Sequence, residues 1–389
     1  MNGNKFLAVI FAIIVIALPI LTAFSPKQSF SDAENRELAS FPTISLKNPF
    51  SDPSVLVDNE ILDKSFMNGF DSYVSDHFIF RNSWVSLKSS LELLTMKREN
   101  NGILLTNKRR LVENIKEPNS RNVGQNILGI NDFVKNNPDT KVFAAIAPTA
   151  CDLYADTLPY GKKTWSQKEF LDGFYNDLGE NVVCTDIYST LSSKKDQYIY
   201  YNTDHHWTTL GAYYAYTQIA SSLGFKPYDK ELFDVEHASY EFYGTFSSKS
   251  NIKVEPDSIE LYTLSNKDVN VTEVLVNNGK ETTKHDGIYF REWLDKKDKY
   301  SVFLGQVQPE VTIKTDVKNN KKLLIFKDSF AHSLVPFLSL HYSEIKLIDL
   351  RYTNKNYREL ADVSDYNDVL LLYNIDSIVN SNNIAALGD

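Results

Sequence analysis

With only two cysteines, Cys151 and Cys184, in 389 residues, the chain is not built on a disulfide framework. In an oxidising compartment the two could pair, or they could stay separate thiols. No Cys/His spacing of a zinc finger occurs, and no motif implies a cofactor or a resident metal. There is no long basic run, and the net charge is −9, which argues against a nucleic-acid partner. No internal repeat is visible. Long apolar runs are also scarce, with a single one at the amino terminus. Asp-x-Asp pairs are absent, which disfavours a phosphoesterase built on clustered aspartates.

What is present is a 42% hydrophobic fraction with 22 Tyr and 23 Phe, enough for a large core. Phe6–Phe24 carries no charge and, as a helix, spans roughly 28 Å, close to the hydrocarbon thickness of a bilayer. Its flanking charges, Lys5 and Lys27, are nearly balanced. It is longer than the core of a signal peptide, so residues 1–24 read as an uncleaved single-pass anchor, although Leu21-Thr22-Ala23 offers a fair cleavage site. The rest of the chain then lies outside the cytoplasm.

Residues 25–60, with Pro26, Pro42, Pro49 and Pro53, suit an extended stem. Helical spacing follows over 61–98, and the domain boundary falls near residue 100. From 101 to 389 the pattern is α/β. Buried strands are expected at Val142–Ala147, Asn181–Cys184, Leu323–Phe326, Ile345–Leu350 and Val369–Tyr373. Helices are expected at Asn122–Asn136, Lys168–Leu178, Thr209–Leu223 and Phe330–Leu340. The alternation predicts a mainly parallel sheet covered on both faces. The Lys-, Asp- and Asn-rich stretch 246–320 breaks the rhythm and, with short runs such as Val274–Val276 and Val311–Ile313, reads as a β-leaning insertion beside the sheet.

Two constellations carry chemistry. Asp204-His205-His206-Trp207 follows a Tyr-rich strand, Tyr198–Tyr201, and precedes a helix that Thr208 can cap. In an extended segment Asp204 and His206 share one face, while His205 and Trp207 turn to the other. A carboxylate beside an imidazole orients it as a base. The second constellation is Lys327-Asp328-Ser329-Phe330, between a buried strand and an apolar helix. A serine there projects from the carboxyl end of a strand, and its own N–H can donate to an oxyanion. The sequence is not Gly-x-Ser-x-Gly, so this is not an α/β-hydrolase elbow. His332 reads as lying on an exposed helix face, and His77 and Arg81 as bracing the N-terminal helices against the catalytic domain.

TDHHWT at 203–208 and KDSFAHSLVPFL at 327–338 resemble the DHHW family of Gram-positive bacteria. SDAENRELASFP (31–42), SDHFIFR (75–81), FYGTFSSKS (242–250) and IDLRY (348–352) extend the resemblance over most of the chain. That family is similar to the alginate O-acetyltransferase branch of SGNH-hydrolase-type enzymes. The resemblance implies a circularly permuted SGNH-like fold in which Asp204 and His206 precede the nucleophile Ser329. Lys327 replaces the glycine of the usual Gly-Asp-Ser block, and Asp-x-His stands for Asp-x-x-His. Gly244 is then a candidate second oxyanion donor, and Arg351, His205 and Trp207 are candidate substrate contacts. A cell-surface or cell-wall polysaccharide is the implied acceptor, with a membrane-bound O-acyltransferase as acetyl donor. The resulting expectation is an extracytoplasmic serine O-acetyltransferase. A carbohydrate O-acetylesterase with the same triad, a non-catalytic glycan-binding scaffold and a metal phosphoesterase reading of Asp204-His205-His206 remain open.

Overall fold

The computed structural model describes residues 3–31, 36–42, 64–266 and 268–388. It divides into two compact units, Met1–Lys97 and Arg98–Asp389. In the first unit a 22-residue helix, Gly3–Phe24, contains the apolar run. By length and composition it can cross a membrane, with a mean hydropathy of 2.9 over its most apolar window. The expected stem, 25–60, lies partly outside the described residues, at 32–35 and 43–60. Within the described part, Phe30–Ser31 pairs antiparallel with Arg36–Glu37 rather than running on as extended chain. Helices Lys64–His77 and Arg81–Leu94 follow. The contacts of His77, to the carbonyls of Tyr73 and Gln28, stay inside this unit. So does the Arg81 bond to Ser75 O.

The second unit is organised by an eight-stranded sheet. In spatial order its strands are Thr282–His285, Val271–Asn277, Glu310–Thr315, Glu344–Ile348, Lys322–Lys327, Asp368–Asn374, Lys141–Ala147 and Val182–Cys184. The last five are mutually parallel. Their side chains alternate between two cores, because successive residues of a strand face opposite ways. Leu323 and Ile325 join Leu334 and Phe337 of helix Ala331–Leu338 and Ala212 and Ile219 of helix Thr209–Ser222. Leu324 and Phe326 face the other side, against Phe133 of helix Ser120–Asn136 and Phe174 of helix Gln167–Asp177. The near-continuous apolar runs in the sequence are therefore strands buried on both faces.

Two expectations are corrected. The stretch 246–320 does not sit wholly beside the sheet: its Asp257–Leu264 pairs separately with Phe233–Phe242, but it supplies three antiparallel strands to the sheet edge. Only one face of these strands is buried, through Val274, Val276, Val311 and Ile313, so their sequence alternates and looks polar overall. Tyr198–Tyr201 is not a sheet strand either. It folds back on the following residues through a lone bridge between Tyr200 and Trp207.

Candidate active site

Ser329 lies in the three-residue connection between strand Lys322–Lys327 and helix Ala331–Leu338. Asp328 shapes that connection. Its Oδ1 accepts the Phe330 N–H at 3.0 Å, and its Oδ2 accepts the Asn374 N–H at 2.6 Å and the Ser377 hydroxyl at 2.8 Å. The serine thus stands at the carboxyl edge of the parallel sheet, where α/β folds place their sites.

The DHHW segment reaches the same point from a loop. Asp257 accepts the N–H groups of Asn202 and Thr203, at 2.8 and 2.7 Å, together with the hydroxyls of Tyr198 and Thr203. This locks the approach to Asp204. Asp204 Oδ1 accepts the backbone N–H of His206 at 3.0 Å and its Nδ1–H at 2.6 Å, closing a turn on itself. Its Oδ2 accepts the Thr245 N–H at 2.7 Å. The other ring nitrogen, His206 Nε2, accepts from Ser329 Oγ at 2.7 Å. Three side chains separated by 123 positions in sequence form one hydrogen-bonded line.

Asp204 and His206 share a face because of this turn, not because the segment is extended, and that changes the expectation for His205. Its Nδ1 lies 3.4 Å from Asp204 Oδ1, and its ring centroid is 3.8 Å from that of His206. It is not turned away. With 40% of its side chain exposed, it lines a cavity of about 240 Å³ together with Thr149, Cys151, Phe246 and Asn374. Trp207 is fully buried, and its indole N–H donates to Phe330 O and Ser333 Oγ. It clamps the helix behind Ser329 and is closed to substrate.

Gly244 does not have a free donor, because its N–H goes to Thr203 Oγ1 at 2.9 Å. It is needed for another reason. A Cβ there would meet Asp204 Cβ at 2.3 Å and Oδ2 at 2.4 Å, so only glycine lets the two segments approach this closely. Arg351 is engaged by Asp349, its Nε and one Nη gripping both carboxylate oxygens at 2.8 and 2.7 Å, with its other Nη outside that pair. Asp349 in turn neutralises Lys327, which is fully buried with Nζ 3.3 Å from Asp349 Oδ2. Lys327 also donates to His332 Nε2 at 2.8 Å, which leaves the Nδ1 proton for Phe303 O at 3.0 Å. His332 is therefore buried, not exposed; burial, and then the Lys327 cation, hold it neutral.

Burial alone would raise the Asp204 carboxyl. The neighbouring His205 and His206 rings and the hydrogen bonds it accepts reverse this and hold it well below the usual carboxylate range. A carboxylate kept ionised in a buried site stabilises an imidazolium beside it.

The sequence did not flag Tyr300. Its ring stacks on His206 at 3.8 Å and 9°, and its hydroxyl reaches Ser329 O and Ser333 Oγ. It comes from the Lys- and Asp-rich 290s, where no local pattern marks it. Asn374 was also missed. The parallel register pairs Lys327 with Leu372, which brings Asn374 level with Ser329. The sheet order alone could have revealed it.

A family model described as DHHW protein matches residues 119–348. The chain belongs to the DHHW family. Among solved structures, a DHHW family protein from Eubacterium siraeum DSM 15702 is 25% identical with a TM-score of 0.63, over 74% of this chain and 95% of that one. Bacillus cereus PatB1 is 23% identical with a TM-score of 0.63, over 72% and 98%. PatB1 carrying a sulfonyl adduct gives a TM-score of 0.62 at the same identity, over 72% and 97%. The DHHW fold thus spans nearly the full length of both neighbours. No curated protein matches the chain. The two histidines for which the family is described stand here at the buried junction that meets Ser329.

Proposed function

We propose that this DHHW chain is a serine acyl-transfer enzyme of the permuted SGNH type, with Ser329 as nucleophile, His206 as base and Asp204 as its orienting carboxylate. The observation that carries the reading is the pair of hydrogen bonds on His206, 2.7 Å to Ser329 Oγ and 2.6 Å to Asp204 Oδ1. In the mechanism, His206 Nε2 takes the hydroxyl proton as Oγ attacks an acetyl carbonyl, and Asp204 steadies the imidazolium. The Ser329 N–H and the one Asn374 amide proton not given to Ala147 O are suited to hold the oxyanion. Collapse expels the donor's leaving group with the proton from His206. A sugar hydroxyl, deprotonated by the same nitrogen, then attacks the acetyl-serine and releases the acetylated glycan.

Water in place of the sugar makes the same site an esterase. The apolar helix Gly3–Phe24 favours transfer, since it would hold residues 25–389 on the outer side of a membrane beside a membrane-bound acyl donor. In this reading residues 1–24 are the anchor, 25–100 the stem and 101–389 the catalytic domain, facing a cell-surface polysaccharide. Asp204, His205 and His206 could by distance hold a metal, their ligand atoms lying within 4.8 Å of one another. Both nitrogens of His206 are already committed to Ser329 and Asp204, which favours the triad. The test is turnover of p-nitrophenyl acetate by the purified chain. It should survive a chelator and vanish in Ser329→Ala; chelator-sensitive phosphatase activity instead would overturn the proposal.

A further inference from the structure

A second cavity, of about 320 Å³, is lined by Lys108, Arg110, Tyr154, Tyr198 and Asn202 among others. Three chain segments contribute to both this cavity and the one beside His205. Arg110 and Glu113, Tyr154 and Cys151, and Asn202 and His205 each divide between the two. Three residues of extended chain cover about 10 Å and three of helix about 4.5 Å, so the two cavities lie close to each other. A saccharide chain with one residue at Ser329 can place another residue here.

The chemistry of the second cavity is distinct. The Arg110 guanidinium carbon lies over the Tyr154 ring, 4.0 Å from its centroid, and one Nη donates to Tyr200 O. Among the described residues neither Lys108 nor Arg110 is within ion-pair distance of a carboxylate. Lys195, by contrast, is offset by Asp156 at 3.6 Å. Tyr154 is buried, and among the described residues its hydroxyl has no hydrogen-bond partner. Asp196 on the rim is the one carboxylate of the lining left to accept a hydroxyl or an amide. Lys108, Arg110 and Lys195 outnumber Asp156 and Asp196 in the lining, and beside aromatic rings and side-chain amides this positive balance suits a sugar residue bearing an anion.

We infer that this cavity is a distal subsite for an anionic saccharide unit, a carboxylate or phosphate bound by Lys108 and Arg110, next to the residue that is acylated. The inference rests on the glycan-modifying reading above. The test is calorimetric binding to the full chain, without acyl donor, of tetragalacturonate, pentamannosyl phosphate and neutral chitotetraose. At least one of the two anionic probes should bind about tenfold or more tighter than the neutral one, and added NaCl should shrink that advantage. Comparing the two probes tells carboxylate from phosphate. Lys108→Gln with Arg110→Gln should erase the preference, and Lys108→Gln alone, at an exposed position, should weaken it several-fold. Equal binding of all three probes, no binding of any, or a preference that survives both substitutions would overturn the subsite. Wild-type p-nitrophenyl acetate turnover, measured in parallel, reports on the catalytic reading separately.

Discussion

Replacing Gly244 by alanine adds one methyl group at the point where two segments of the site come closest. The new Cβ would lie 2.3 Å from Asp204 Cβ and 2.7 Å from its Cγ. Ordinary carbon–carbon contacts are about 3.5–4.0 Å, so one side must retreat by more than about 1 Å. The Gly244 backbone is fixed by its bond to Thr203, itself held by Asp257, so Asp204 is the group that moves. A displacement of about 1 Å costs on the order of 10²-fold in rate, and loss of the orienting carboxylate about 10⁴-fold. The expected fall in kcat for p-nitrophenyl acetate therefore lies between these limits, about 2.7–5.5 kcal/mol in the barrier. Overpacking should lower stability by only about 1–3 kcal/mol, leaving the chain folded at 25 °C by circular dichroism. In an Asp204→Ala background the same substitution should cost little further activity, because members of one triad are not additive. A folded Gly244→Ala enzyme with more than half the wild-type kcat would refute the argument and remove Asp204 from the machinery.

Three more outcomes follow from the same geometry. His206→Ala should lose about 10³-fold or more in turnover, and His205→Ala only about tenfold, since His206 alone bonds Ser329; a reversed order would make His205 the base. Asn374→Ala should lower kcat by about 10²-fold with little change in KM, as loss of an oxyanion donor does, and an unchanged kcat would exclude it. His341, buried against Tyr216, Phe225 and Tyr228, has its pKa pushed down to about 4 by burial. The unfolded chain binds its proton first, so stability is full above about pH 6.5, falls as pH drops toward 4, and loses up to about 3 kcal/mol. Urea unfolding of His341→Gln should show less of that slope; an equal slope would assign the effect elsewhere.

The parallel half of the sheet was legible in the sequence because strands buried on both faces read as unbroken apolar runs. Lys141–Ala147 and Asp368–Asn374 match the expected strands within a residue. Thr208 caps its helix through Gly211 N–H as its position suggested. Two antiparallel edge strands were marked by the short runs Val274–Val276 and Val311–Ile313, but one-sided burial hid that they extend the same sheet. At the site, sequence could pair Asp204 with His206 but assumed a strand, whereas an aspartate closing a turn on His206 brings His205 in as well. Tyr300, Asp257 and Lys327 could not be read locally. Each owes its role to a partner more than 20 positions away, and a buried lysine reads as a surface residue until Asp349 is seen beside it.

The most direct test of the account is to trap the acyl-enzyme. The chain, mixed with p-nitrophenyl acetate and quenched in acid within the burst phase, should gain one acetyl group by intact mass spectrometry. Peptide mapping should place it on Ser329 and find it absent from His206→Ala. Acetylation that maps to another residue, with turnover persisting in Ser329→Ala, would contradict it.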